Sequence, residues 1–181
     1  MRCWGPTSAP SRTTRGVSCS SSSRCAARTS PIPRVGRTTY DFLRQLPRDV
    51  RYAVELRNRE LLSDGHGAVL ARHGVAHVFN SWTEMPTIGE QLELPWTFPA
   101  PFTVARALLR PGRRYADAVK LFEPYDRIRD PQPELRQDLL RLVAEALRRR
   151  VEALILVNNR LEGNAPGTIR ALVDALTGER S

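Results

Sequence analysis

Cysteine is absent from most of the chain. All three cysteines, Cys3, Cys19 and Cys25, lie within the first 37 of the 181 residues. Residues 38–181 therefore offer no disulfide and no thiolate chemistry. The three cysteines lack a partner histidine and the paired spacing of a zinc site, so we expect no metal at them.

Acidic residues are absent from the same first segment. Residues 1–37 contain seven arginines and no Asp or Glu, and they are rich in Ser, Arg and Pro. This composition predicts a disordered leader, because it cannot bury enough apolar surface to offset the loss of chain entropy. The leader could be a transit-like peptide, a basic tail that contacts nucleic acid or anionic lipid, or the product of a wrong start or frameshift. We favour the third interpretation, and we expect one domain over residues 38–181.

The positive charge of the chain is concentrated in this leader. The formal net charge is +9, but removal of seven of the 28 basic residues leaves 21 against 19 acidic ones. A nearly neutral body is not typical of a nucleic-acid-binding domain. Long apolar runs are also missing, so we expect neither a membrane span nor a secretory signal, and we expect a cytoplasmic location.

Strand and helix patterns alternate through the body. Apolar and alternating runs predict strands at 51–57, 75–80, 102–108 and 151–157. Helical periods and capping residues predict helices at 39–46, 67–73, 115–122, 133–150 and 165–176, with a helical turn near 87–91. This order predicts an α/β fold of parallel β-α units with right-handed crossovers. Four strands are half of a closed eight-stranded barrel.

Polar residues follow each predicted strand, at the end where parallel α/β folds place their sites. Glu55 could act as a general acid or base, and Arg106 could hold a carboxylate or phosphate. The asparagines could orient the hydroxyl groups of a sugar. Alternatively, Glu55 forms ion pairs with Arg57 or Arg106, and the asparagines tie down a loop. The candidates in this group are Glu55, Arg57, Asn80, Arg106, Asn158 and Asn159.

Other chemistry finds little support in the sequence. The glycines around His66 form an incomplete phosphate-binding pattern, and His77 lies in the middle of a strand, where a packed core residue is favoured. The sequence has no metal-ligand spacing and no nucleophile elbow. It identifies no cofactor.

Several blocks resemble the YecE-like family, also called domain of unknown function 72. They are Phe42-Leu43 with Leu46-Pro47, the segments 52–58 and 106–112, and Asn158-Asn159 followed by Gly163-Asn164-Ala165-Pro166. The resemblance implies the last four units of a TIM-barrel-like fold in a family of uncharacterised members. Many relatives carry histidine where this chain has Arg160. The family's characteristic positions are Glu55, Arg57, Arg106, Tyr115, Asn158 and Asn159.

The resemblance also implies a difference at the start of the chain. Family members begin with a Gly-rich first strand and a loop with Trp and Tyr, and the leader stands where these would be. We therefore favour the hypothesis of a truncated barrel of unknown activity, which could self-associate through exposed sheet edges. An enzyme that acts on a small polar substrate, such as a sugar or phosphate ester, is the alternative, with Glu55 as acid or base. A further alternative is binding to nucleic acid or an anionic surface through the basic leader.

Overall fold

The structure, a computed structural model, describes residues 34–178 of the chain, and the side chains of residues 39–178. Residues 1–33 of the predicted leader lie outside the described residues. Among the described residues, no helix is both long and apolar enough to cross a membrane.

One four-stranded sheet organises the described residues. Its strands are β1 (Ala53–Val54), β2 (Ala76–Asn80), β3 (Phe102–Ala107) and β4 (Glu152–Val157), and they pair in parallel in this order. Val104 of β3 lies between Val78 and Leu154 in the register. The predicted parallel α/β fold is confirmed, because each strand pairs with the next along the chain and connections containing helices join them.

The first strand is much shorter than predicted. It ends after Val54, whereas the alternating pattern extends to Arg57. The backbone carbonyl of Leu56 accepts its hydrogen bond from the side-chain amide of Asn80 (2.8 Å). Just beyond the end of β1, the Asn80 side chain therefore takes the place of a backbone amide as hydrogen-bond donor.

Seven α-helices cover the sheet within the described range. They are α1 (Arg34–Leu43), α2 (Asp64–His73), α3 (Ile88–Leu92), α4 (Tyr115–Phe122), α5 (Pro133–Arg149), α6 (Asn159–Glu162) and α7 (Ala165–Thr177). A 3-10 turn spans Arg59–Leu61. The predicted helices and the predicted turn near 87–91 are present, and α4 has the predicted bounds. The short helix α6 was not predicted, because the sequence of 158–164 reads as a polar loop.

Local capping explains most of the helix boundaries. The Asn164 side chain accepts a hydrogen bond from the Gly167 amide (2.7 Å), as predicted for the start of α7. Helix α2 begins three residues before its predicted start, because the Ser63 hydroxyl accepts a hydrogen bond from the His66 amide. Helix α1 begins five residues before its predicted start and ends three residues earlier, at Leu43.

The two faces of the sheet carry different apolar layers. On the outer face, Phe79 and Ala105 pack with Leu139 and Leu142 of α5. On the other face, which we call the inner face, Ala76, Val78, Phe102 and Val104 form a second buried cluster. Alternation of side chains along each strand assigns successive residues to the two faces.

His77 lies on the outer face and is fully buried, as predicted for a core residue. Its Nε2 atom lies 3.4 Å from the Gln91 side-chain oxygen, and its ring makes edge contacts with Phe79 and Trp96. Burial lowers the pKa of His77 to about 4, although the hydrogen bond to Gln91 opposes the shift. The imidazole is therefore neutral in the folded protein at neutral pH.

We expect His77 to make the stability of the fold pH-dependent. The unfolded chain protonates this residue near pH 6.5 and the folded chain near pH 4, so the unfolded state binds more protons between these values. The free energy of unfolding should fall by about 3 kcal/mol as the pH decreases from 7 to 4. Urea unfolding of the wild type and of His77→Gln across this range measures the effect. The slope should flatten in His77→Gln and persist in the control Leu147→Gln, which removes no titrating group at an exposed site; equal slopes in all three proteins would contradict the assignment.

β4 leaves an unpaired edge and an exposed apolar surface in the described part of the chain. Its inward-facing Leu154 and Leu156 are 39% and 55% exposed. In the neighbouring helix α7, Ile169 and Val173 are also about half exposed. An unpaired strand edge beside exposed apolar side chains favours association between chains.

We expect the purified chain to self-associate with increasing concentration through this surface. Replacement of both Leu154 and Leu156 by lysine should reduce association, because two buried charges would have to be desolvated at the interface. Sedimentation velocity over a hundredfold concentration range measures it. Leu147→Lys, on the exposed side of α5, is the matched control and should leave association unchanged. A monomeric wild type at every concentration would contradict the expectation.

Candidate functional site

Glu55 and Arg106 meet at the carboxyl end of the sheet. Glu55 lies just beyond β1 and Arg106 lies in β3, and the carboxylate forms an ion pair with the guanidinium. The neighbouring Arg57 donates from Nε to the other carboxylate oxygen at 3.3 Å. The Glu55 side chain is only 15% exposed, so this contact is partly shielded from water. We call these three residues the rim cluster.

Both oxygens of Glu55 are engaged by arginine in the rim cluster. Oε1 accepts from Arg57 and Oε2 from Arg106. Two guanidinium groups share one carboxylate, so the cluster carries a net charge of +1 and retains donors that do not face Glu55. In this arrangement Glu55 holds the two arginines in place, as the ion-pair interpretation of the sequence expects.

Trp82 packs against the rim cluster through Arg57. The Arg57 guanidinium lies over the Trp82 ring, 4.3 Å from its centroid. A cation on an aromatic face is stabilised and oriented by the electron density of the ring. Trp82 lies in the loop after β2, and the sequence provides no signal for this specific pairing.

Asn80 lies inside the protein instead of on the rim. Its side chain has no exposed surface, and it donates to the Leu56 carbonyl and accepts from the Trp82 amide (3.1 Å). Asn80 therefore holds the segments that carry Glu55 and Trp82. This geometry lends no support to the predicted contact between Asn80 and a substrate, which stays a prediction.

Asn158 and Asn159 act as local caps. The Asn158 side-chain oxygen accepts from the Arg160 amide (2.9 Å) at the start of α6, and that of Asn159 accepts from the Ala165 amide (2.8 Å) at the start of α7. Their NH₂ groups have no hydrogen-bond partner among the described residues. A shallow pocket of about 270 Å³ borders both asparagines and Tyr125. The two side-chain oxygens tie down the loop, as the structural interpretation expects. The two NH₂ groups remain free to donate to a ligand.

Tyr115 lies beside the asparagines. The Arg160 guanidinium lies over the Tyr115 ring at 4.3 Å from the centroid, and the tyrosine is 53% exposed. Asn158 adjoins the rim cluster through the backbone, because its amide donates to the carbonyl of Ala107, the residue after Arg106. The structure thus brings all the predicted site residues to one end of the sheet, with Asn80 buried beneath them.

Sequence reasoning missed a second carboxylate, Glu162. Its side chain is completely buried and pairs with Arg136, with 2.6 Å between Oε2 and Nη2. It also accepts from the Thr168 hydroxyl (2.6 Å) and from the Gln132 amide (2.5 Å). This carboxylate links α5, α6 and α7 beneath the asparagine loop. No sequence signal marks it, because Arg136 and Gln132 lie 26 and 30 residues earlier in the chain.

Metal binding finds no support in the geometry. Within residues 34–178, no cluster of three or more His, Cys, Asp or Glu side chains could hold a metal ion.

We expect the Glu162 network to be among the most sensitive points of the fold. Arg136→Met leaves a buried carboxylate without its cation and should lower the free energy of unfolding by about 3 kcal/mol. Glu162→Gln should cost less, because Arg136 is partly exposed and can be solvated. Arg148→Met, which breaks a surface pair with Glu145, should cost at most about 0.5 kcal/mol. Urea unfolding at pH 7 measures all three changes, and similar losses for Arg136→Met and Arg148→Met would refute a buried charge network.

Comparisons with known proteins identify the family. No curated protein matches this chain. A solved structure of a DUF72 family protein from Thermotoga maritima superimposes with a TM-score of 0.54 at 22% identity, and the match covers 78% of this chain and 51% of that chain. The chain thus spans about half the length of that protein, and this likeness supports a shared fold alone. The family described as a protein of unknown function, DUF72, matches residues 28–181. Because this match covers most of the sequence, the chain belongs to the DUF72 family.

Proposed function

We propose that the carboxyl end of the sheet binds a small polar molecule that carries a phosphate or carboxylate group. Arg106 and Arg57 are the anion-binding residues of this proposal, and Glu55 positions them. The observation that carries the proposal is that two guanidinium groups converge on one carboxylate at this end of the sheet.

The charge and exposure of the rim cluster support an anionic ligand. Arg57 and Arg106 are 49% and 36% exposed, whereas Glu55 is largely covered, so an approaching molecule meets guanidinium before carboxylate. Arginine presents several N–H donors in a planar fork that matches the oxygens of a carboxylate or phosphate. The ligand would accept hydrogen bonds from the guanidinium N–H groups of Arg57 and Arg106 that do not contact Glu55.

The residues beside the rim cluster support a ligand that carries hydroxyl groups in addition to its anionic group. The NH₂ groups of Asn158 and Asn159 could donate to hydroxyl oxygens of a sugar, and Tyr115 adds a half-exposed aromatic surface. These residues border the strand that pairs with β3. A direct acid or base role for Glu55 stays a prediction, since it requires one arginine to move away from the carboxylate.

Titration of the full chain with glycerol 3-phosphate, glucose 6-phosphate and neutral glucose tests the proposal. We expect saturable binding of the two phosphate esters and much weaker binding of glucose, measured by calorimetry or by NMR chemical-shift changes. Arg106→Met should weaken binding of the esters at least tenfold, because a charge-assisted hydrogen bond is lost. Binding should also weaken with added salt.

Glu55→Gln tests whether the negative charge of Glu55 contributes to binding. The Gln side-chain oxygen can still accept hydrogen bonds from the arginines, and loss of the negative charge raises the net charge of the rim cluster, so affinity for the phosphate esters should stay equal or increase. Arg148→Met, at a distant ion pair on α5, should leave binding unchanged. If neither ester binds, or if Arg106→Met lowers stability without affecting affinity, the rim cluster is only a structural ion pair.

A further inference from the structure

A second cavity lies at the opposite, amino-terminal end of the sheet. Its volume is about 310 Å³, and it lies between the segment that follows α1, the end of α2 and the start of β3. Its apolar wall contains Leu43, Leu46, Tyr52 and Phe102. A cavity of this size is within the range of small-molecule sites.

The lining of this cavity includes two arginines, Arg48 and Arg51, and His73. Arg51 forms an ion pair with Glu152 and lies over the Phe102 ring at 4.8 Å from the centroid. Arg48, by contrast, has neither an ion pair nor a ring contact among the described residues, and it is exposed.

Two further arginines, Arg44 and Arg72, lie near His73. Arg44 and Arg72 both lie over the Tyr40 ring, at 5.6 and 5.1 Å from its centroid, and neither pairs with a described carboxylate. The nearest acidic residues along this segment, Asp41 and Asp49, are exposed and form no ion pair in the described part of the chain. Arg44, Arg48 and Arg72 therefore have no ion-pair partner among the described residues.

His73 has an unused polar atom at the same place. Its Nε2 atom is buried and has no hydrogen-bond partner, and its ring contacts Tyr40 edge-on at 5.1 Å between centroids. Burial lowers the pKa of His73, and the charges of Arg48, Arg72 and Arg44 lower it further. A buried polar atom without a partner is unfavourable, so a ligand that supplies the partner would be stabilised.

We propose that this cavity is a binding site for a small molecule with one phosphate or carboxylate group on an apolar body. The anionic group lies at the opening, against Arg48 and His73, and the apolar body packs between Leu46, Tyr52 and Phe102. This site is separate from the rim cluster, because the two lie at opposite ends of the parallel strands. It does not depend on the proposed function.

Titration of the full chain with phenyl phosphate tests the site. Phenyl phosphate combines the two features, whereas inorganic phosphate and benzyl alcohol each supply one. We expect saturable binding of phenyl phosphate, at least tenfold weaker binding of inorganic phosphate, and no measurable binding of benzyl alcohol. Equal affinity for phenyl and inorganic phosphate would overturn the role of the apolar wall, and absence of saturable binding would overturn the site.

Two matched variants locate the binding. Arg48→Met should weaken phenyl phosphate binding about tenfold and should not unfold the chain, because Arg48 is exposed and unpaired. Arg148→Met, at a surface ion pair on α5 outside both proposed sites, should leave this affinity unchanged. If Arg106→Met weakens binding and Arg48→Met does not, phenyl phosphate binds at the rim cluster and the proposed cavity site is wrong.

The titration of His73 gives an independent readout. A bound anion should raise the pKa of His73, because it offsets the charges of Arg44, Arg48 and Arg72 and favours the protonated imidazole. NMR titration of the ring with and without saturating phenyl phosphate measures the change. We expect an increase of about one pKa unit, with no change for buried His77. An unchanged pKa of His73 in the saturated complex would overturn the placement of the anion.

Discussion

The candidate site depends on one buried hydrogen-bond network, formed by Asn80 and Gln91. The Gln91 side chain accepts from the Asn80 amide and donates to its carbonyl (2.7 Å) and to that of Pro86 (2.7 Å). The Asn80 side chain then binds the Leu56 carbonyl and the Trp82 amide. Because both amides are fully buried, loss of any of these bonds leaves a polar group without water or partner. The network thereby holds the residue next to Glu55 and the ring under Arg57.

Two carboxylates that are shielded from water, Glu162 and Glu55, have different roles. Glu162 is completely enclosed, its hydrogen bonds come from three partners, and it joins three helices. Glu55 is partly open to solvent, and its two arginines are more exposed than the carboxylate itself. A charge that is fully enclosed and satisfied stabilises one arrangement of helices, whereas a charge at a surface with spare donors can exchange partners. Because the rim cluster is accessible to solvent and Glu162 is not, we propose ligand binding at the rim cluster and not at Glu162.

Charge is segregated within a body that is nearly neutral in total. Residues 38–181 contain 21 basic and 19 acidic residues. Yet two guanidinium groups face one carboxylate at the carboxyl end of the sheet, and three arginines surround His73 at the amino end. Local imbalances of this kind attract anions over short distances even when net charge is small. Membership of the DUF72 family leaves activity open, and these two ends of the sheet are where the structure concentrates binding chemistry.

The sequence by itself determined the elements whose causes are local. The apolar period of α5, the Asn164 cap of α7 and the apolar run of β4 each act within a few residues, so their existence and approximate bounds could be predicted. The strand and helix order also determined the parallel sheet, because chain connectivity and handedness leave few alternatives. Polar residues at the strand ends could be assigned to one end of the sheet by the same reasoning.

Only the tertiary structure decided which of those residues touch. Glu55 and Arg106 are 51 residues apart, and nothing in either segment indicates that both oxygens of Glu55 are engaged. Asn80 looked equivalent to Asn158 in sequence, yet Asn80 is buried beneath the rim cluster and Asn158 caps the short helix α6. Glu162 and the basic cavity near His73 gave no sequence signal at all. Such features depend on packing between distant segments, where burial and charge are set by neighbours that the local pattern does not contain.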